Sequence, residues 1–233
     1  MLSFAREEGV HMSQASLYPV DYSVEPQLTG RNRLTCFFRI ILAIPHIILV
    51  GGPGISAGGG FSRGGSGQYI GALLAGGVLL TVSFIMSIIS WFSIVFTGKM
   101  PQGLFEFESK VMRWRARSNA YIALLRDEYP PFSFEEPTPA YPTNLELPQF
   151  TDQERNRVTV GFRVILIIPQ AIVLALLGIA WFVTAVIGWF AILFTGAYPE
   201  GLYNFAIGYL RWSFRVESYM LLLHDEYPPF SLQ

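Results

Sequence analysis

Charge is scarce in this chain. Asp, Glu, Lys and Arg make up 14% of its 233 residues, against roughly 25% in an average soluble domain. The shortage is concentrated, because Gly64 to Gly98 and Val164 to Gly196 hold no charged residue of either sign. Cysteine is nearly absent. The single Cys36 excludes an internal disulfide and any thiolate metal cluster, and reads as a small buried apolar residue. A basic surplus is missing too: the formal net charge is −1 and the pI about 6.3, which argues against a nucleic-acid partner. The opening MLSFAREEGVHMSQ carries acids and no apolar core, unlike a signal peptide; it reads as a loose cytoplasmic tail over 1–17, with Met12 an alternative start. Finally, there is no Gly-rich phosphate loop after a strand, no His or Cys spacing suited to a metal, and no nucleophile motif. No catalytic residue, metal or cofactor is expected, and the chain does not read as an enzyme.

What is present is apolar. Hydrophobic residues reach 52% and mean hydropathy is +0.39. A bilayer-spanning helix needs about 20 apolar residues, and both uncharged runs exceed that, so the sequence predicts an all-α integral membrane protein. It is also duplicated. Trp91 to Ser133 begins WFSIVFTG and closes on DEYPPFS; Trp189 to Ser231 begins WFAILFTG and closes the same way, 98 residues later. Arg31, Arg33, Arg39 and Pro45 recur as Arg155, Arg157, Arg163 and Pro169, 124 residues later. The 26-residue difference between these offsets marks an insertion in the first copy, placed at the Gly-rich stretch 51–77, which reads as a flexible outer loop.

The pattern divides the chain into repeat 1 (18–134), a Pro- and Glu-rich linker (135–140) and repeat 2 (141–233). Alternating residues in Tyr18–Gly30 and Tyr141–Phe150 predict a short extended segment before each repeat. Of sixteen Lys and Arg, only Arg63 lies between the apolar runs of a repeat. Basic residues favour the cytoplasmic side, so each repeat is expected to cross twice. Four spans follow, Leu34–Val50, Ile70–Thr97, Val158–Leu177 and Ile179–Thr195, with a tight turn at Leu177-Gly178-Ile179. They form two parallel hairpins with both termini cytoplasmic, related by a pseudo-twofold axis along the membrane normal. Each hairpin is followed by a basic, aromatic-rich amphipathic helix, 101–129 and 199–227, of the kind that lies along headgroups and attracts anionic lipid.

Few residues could carry chemistry. Arg39 and Arg163 lie within spans, where an ionisable residue is a functional candidate; the blander alternatives are snorkelling and a structural ion pair. Asp127, Glu128, Asp225 and Glu226 are the acids nearest in height. Arg113, Arg117, Arg211 and Arg215 supply the basic side of the amphipathic helices. Pro45 and Pro169 each remove an amide donor in mid-span and predict kinks. His46 becomes Gln170 in the second copy, so it reads as no metal ligand.

The segments RNRLTCFFRIILAIPH, WFSIVFTGKMPQGLFEF and RWRARSNAYIALLRDEYPPFS, matched by RVILIIPQ, WFAILFTGAYPEGLYNF and RWSFRVESYMLLLHDEYPPFS, resemble a bacterial membrane family, domain of unknown function 4389. The resemblance implies tandem membrane modules and no assigned activity; the Gly-rich insertion departs from it. The expected role is a non-enzymatic accessory or scaffold subunit of the bacterial cytoplasmic membrane, associated with anionic lipid and other membrane subunits. The alternative is a small transporter or lipid-binding protein whose inter-repeat groove presents Arg39 and Arg163 to an anionic head group.

Overall fold

A computed structural model describes residues 18–53 and 77–233. The expected tail at 1–17, most of the 51–77 insertion and the expected start of the second span at Ile70 lie outside these residues. Two short strands, β1 (Asp21–Val24) and β2 (Thr143–Glu146), and six helices follow one another: α1 (Arg33–Val50), α2 (Val78–Thr97), α3 (Gln102–Ile122), α4 (Arg157–Gly161), α5 (Arg163–Thr195) and α6 (Glu200–Met220). Three of these, α1, α2 and α5, are long and apolar enough to cross a membrane, and the protein is mostly helical with one small sheet.

The helices start and stop where the sequence provides caps. Asn32 and Asn156 each accept the amides two and three residues ahead, satisfying donors that a helix N-terminus leaves open. Gly98 and Gly196 close α2 and α5 in the left-handed conformation, φ 80° and 72°, which glycine adopts without a Cβ penalty.

The second repeat departs from the expected pair of spans. No turn forms at Leu177-Gly178-Ile179; α5 runs unbroken for 33 residues. Gly178 serves packing instead, since a Cβ there would lie 3.0 Å from the Tyr209 hydroxyl. The first repeat builds the same object from two pieces. Gly51 and Gly77 align with one residue, Ala175, under the two repeat offsets, and the backbone ends meet: a Cβ on Gly77 would lie 2.4 Å from the Gly51 nitrogen. The insertion is therefore an excursion from a long helix whose halves abut. We call α1–α2 and α5 the two rods.

The rods run antiparallel. At one end the Arg31 amide donates to the Gly196 carbonyl at 3.1 Å and the Trp189 indole to Cys36 O at 3.0 Å. At the other, the Arg155 amide donates to Gly98 O at 2.8 Å and the Trp91 indole to Val160 O at 3.0 Å. Each rod is lined on its inner side by the helix that follows it. Along α5 and α6, Arg163 meets Tyr219, Gln170 meets Trp212, and Trp181 stacks on Tyr209. β1 and β2, one from each half, pair antiparallel with Tyr22 opposite Leu145, and both side chains are buried. Tyr22 donates to Ala116 O of α3 at 3.3 Å, and Arg211 of α6 donates to Tyr22 O at 3.1 Å. The result is three layers: rods, then α3 and α6, then the ribbon.

This layering corrects the expectation for the amphipathic helices. From Trp114 to Tyr121, and from Trp212 to Tyr219, every residue is buried. These helices are the middle of the protein, not a headgroup-facing surface. The rods show the inverse pattern. Cys36, Arg39, Ala43, His46 and Val50 form the buried stripe of α1, while Leu34, Phe37, Ile40, Ile41 and Ile44 are exposed. The polar residues of the rods, Arg39, His46, Ser83, Ser90, Arg163 and Gln170, face the protein among a few apolar ones, and most large apolar side chains face outward.

Candidate functional site

The residues that recur between the halves converge at two equivalent places. In the first, Asp127 follows the buried end of α3. It takes Arg31 Nη2 at 2.7 Å and Arg31 Nε at 3.1 Å, the Asn32 amide at 2.9 Å, and Arg39 Nη2. Arg39 Nη1 donates to Tyr121 O at 3.0 Å and Arg126 O at 2.8 Å, and its guanidinium lies 4.5 Å from the Tyr121 ring centroid. The second place repeats the first. Asp225 takes Arg163 Nη2 at 2.9 Å, Arg155 Nη1 at 3.6 Å and the Asn156 amide at 3.2 Å. Arg163 Nη1 donates to Tyr219 O and His224 O at 2.8 and 2.9 Å. Beside each of these Arg–Asp clamps lies a residue in the left-handed conformation that few non-glycine residues adopt, Leu124 with φ 64° and Leu222 with φ 65°.

Electrostatics explains the closeness. Burial alone would raise the Asp127 carboxyl, but hydrogen bonds from Arg31 and the Asn32 amide, with the charges of Arg31 and Arg39, outweigh it and hold the group below the ordinary carboxylate range. A buried arginine is tolerated because aspartate and carbonyls neutralise it. Of the alternatives open for Arg39 and Arg163, the structure displays the ion pair.

The rest of the DEYPPFS motif is spent nearby. Pro45 leaves Ile41 O without its helical amide, and the Tyr129 hydroxyl donates to the next carbonyl, Leu42 O, at 3.2 Å. Tyr227 does the same for Leu166 O beside Pro169, also at 3.2 Å. Both helices continue through their prolines. Phe132 stacks on His46 at 4.1 Å. His46 Nδ1 receives the Trp114 indole at 3.3 Å, just as Gln170 Oε1 receives Trp212 at 2.8 Å. A histidine and a glutamine can thus fill one position, because both offer the indole an acceptor; Gln170 Nε2 also donates to Pro228 O at 2.6 Å.

Of the other predicted arginines, Arg117 and Arg215 are buried, whereas Arg113 and Arg211 form ion pairs nearer the surface. Arg117 donates to Ser133 O at 2.6 Å. Arg211 and Arg215 reach Asp21 at 3.2 and 3.8 Å, and Arg113 lies 4.0 Å from Glu136.

Three buried groups had not been singled out. Glu217 pairs with Arg115 at 2.7 Å across the two halves. His224 bonds Ser218 Oγ and Tyr18 OH through Nε2; burial, then the charges of Arg163 and Arg155, depress it to about 3. Glu108 is fully buried with neither oxygen hydrogen-bonded; burial pushes it up to about 8, although neighbouring Ser83 opposes the shift. The only sequence signal for Glu108 is its place on the face that carries Phe105 and Met112.

Two equivalent apolar cavities open between the rods. One, of about 370 Å³, is bordered by Arg39, Ala43, Leu124 and Trp189; the other, of about 240 Å³, by Arg163, Ile167, Leu222 and Trp91. Among the described residues no three His, Cys, Asp or Glu side chains converge as a metal site.

The family model for the domain of unknown function DUF4389 matches residues 69–133 and 157–231, together more than half of the chain. The protein belongs to the DUF4389 family. Its second DUF4389 segment opens at α4 and includes all of α5 and α6, whereas the first opens inside the insertion and leaves α1 outside. No curated protein and no solved structure matches the chain.

Proposed function

We propose that this protein is a non-enzymatic accessory or scaffold subunit embedded in the cytoplasmic membrane of a bacterium, with both termini on the cytoplasmic side. One observation carries the reading. The recurring Arg31, Arg39, Asp127 and their counterparts Arg155, Arg163 and Asp225 are engaged in holding helices to one another, while the outer faces of the rods present a long uncharged apolar surface. A soluble monomer rarely exposes a contiguous patch above a few hundred Å², so this face calls for lipid or other membrane subunits. Anionic lipid would be met by Arg33 and Arg157, which are exposed at the rod ends, and not by the arginines of α3 and α6. Extraction in mild detergent followed by native mass spectrometry tests the reading: a co-purifying membrane protein is expected, and a monodisperse monomer alone would overturn it.

The twin cavities favour a second reading, a lipid-binding protein. The guanidinium groups at their edges are already satisfied by Asp127 and Asp225, so the cavities suit an acyl chain better than a head group. Retained lipid in the native mass spectrum, lost when Ala43→Phe fills the larger cavity, would support it.

A further inference from the structure

We infer that the rods do not cross the bilayer: they lie side by side along a single leaflet, with the α3–α6 layer and the ribbon beneath them on the cytoplasmic side. The inference rests on the membrane reading above and adds an orientation to it.

Length gives the first reason. At 1.5 Å per residue, the 33 residues of α5 extend about 50 Å, and the hydrocarbon core is about 30 Å thick. The exposed apolar face runs the whole way, from Val164 to Phe194. An upright helix would carry roughly two turns of bare apolar surface into water at each end.

The layering gives the second. Trp212 meets Gln170 and Tyr209 stacks on Trp181, so Arg211 and its partner Asp21 sit level with the middle of α5. Arg113 and Glu136 occupy the same level on α3, with Lys110 exposed nearby. Standing the rods upright would place these charges, on the protein's far flank, at the bilayer centre, where ionisable residues are strongly disfavoured. Laying the rods flat places every one of them in water.

The third is symmetry. Because the rods are antiparallel, Arg33 lies beside Gly196 at one end and Arg157 beside Gly98 at the other. Both are exposed and neither has an ion pair among the described residues. A crossing orientation would send one of these basic ends to each side, against the cytoplasmic preference of basic residues. In the flat orientation both meet head groups of the same leaflet, and the pseudo-twofold axis stands along the membrane normal.

Spin labels at Val164→Cys, Leu176→Cys and Ile187→Cys, all on the exposed face of α5, in a Cys36→Ala background in lipid vesicles, test the orientation through relative collision with oxygen and a water-soluble nickel chelate. Similar, shallow depths at all three sites are expected. A profile in which one site lies deep, or emerges at the opposite surface, overturns the inference. In parallel, Glu154→Cys and Glu200→Cys, at opposite ends of α5, should react with an impermeant maleimide from the same membrane face; reaction from opposite faces overturns it. Full water exposure of all three labels, with failure to float with vesicles, would instead remove the membrane reading itself.

Discussion

At the scale of single residues, the clamp is asymmetric in burial, and its sensitivity follows. Arg31 and Arg39 side chains are 0% and 2% exposed and share Asp127, which is 12% exposed, whereas Asp225 is 30% exposed. Removing one partner of a buried pair leaves an uncompensated charge, at a cost of about 3–5 kcal/mol. Asp127→Asn should therefore lower the thermal midpoint in detergent substantially, and Asp225→Asn less. In a double-mutant cycle, Arg39→Gln and Asp127→Asn should be clearly non-additive; additive losses would show that the pair contributes little. Glu108 supplies a pH-dependent prediction. Its folded value near 8 lies above an unfolded carboxyl near 4.3, so between these values the unfolded chain binds fewer protons and stability falls as pH rises, by about 1.4 kcal/mol per unit at most. Denaturation followed at pH 6 and pH 8 should show that Glu108→Gln removes this loss and makes the variant the more stable protein at pH 8. An unchanged slope would assign the pH dependence elsewhere.

At the scale of elements, much was legible because membrane helices and caps leave strong marks. An ion pair of Arg39 with an acid such as Asp127 is one of the alternatives that sequence and elementary electrostatics offer, and Asn32 and Asn156 stand where helix caps are preferred. The misplaced turn has a definite cause. Gly178 looks like punctuation, yet a glycine inside a helix costs only about 1 kcal/mol, and its missing Cβ makes room for the Tyr209 hydroxyl. The amphipathic helices misled for a related reason: their arginines read as a surface because their partners, Ser133 O, Asp21 and Glu136, lie far away in sequence. The broken rod yields its own prediction. Deleting 51–76 with Gly77→Ala should give a folded protein with α1 and α2 continuous, a melting point equal to or above the parent's, and undiminished helical ellipticity per molecule. Collapse of the fold would mean that the excursion supports the rod. The proline sites are testable as well. Tyr129→Phe should cost about 0.5–1.5 kcal/mol, the usual net value of one hydrogen bond, and a Pro45→Ala background should leave that cost unchanged, because the amide it restores serves Ile41 O and not Leu42 O.

At the scale of the whole molecule, the question is how a protein with so little net charge would select its lipids. Six of its fourteen arginines are held by carboxylates: Arg31 and Arg39 by Asp127, Arg115 by Glu217, Arg163 by Asp225, and Arg211 and Arg215 by Asp21. Overall basicity therefore has little influence on the membrane. Arg33 and Arg157, symmetric, exposed and bordering the apolar face, are the described cations best placed to meet phosphate. A basic residue near an anionic surface contributes about 1 kcal/mol, roughly a fivefold preference. The two sites lie about a rod's length apart, and separated sites act independently. In bilayers, the association of spin-labelled phosphatidylglycerol relative to phosphatidylcholine should fall modestly for Arg33→Gln or Arg157→Gln and further for the pair, while Arg117→Gln, whose guanidinium is bonded inward to Ser133 O, should leave it unchanged in whatever fraction folds. Raising salt should mimic the double variant, since exposed charges are screened over about 10 Å at 0.1 M. If the inward arginine mattered as much as the two outward ones, lipid selectivity would have to arise inside the clamp instead of at the rod ends.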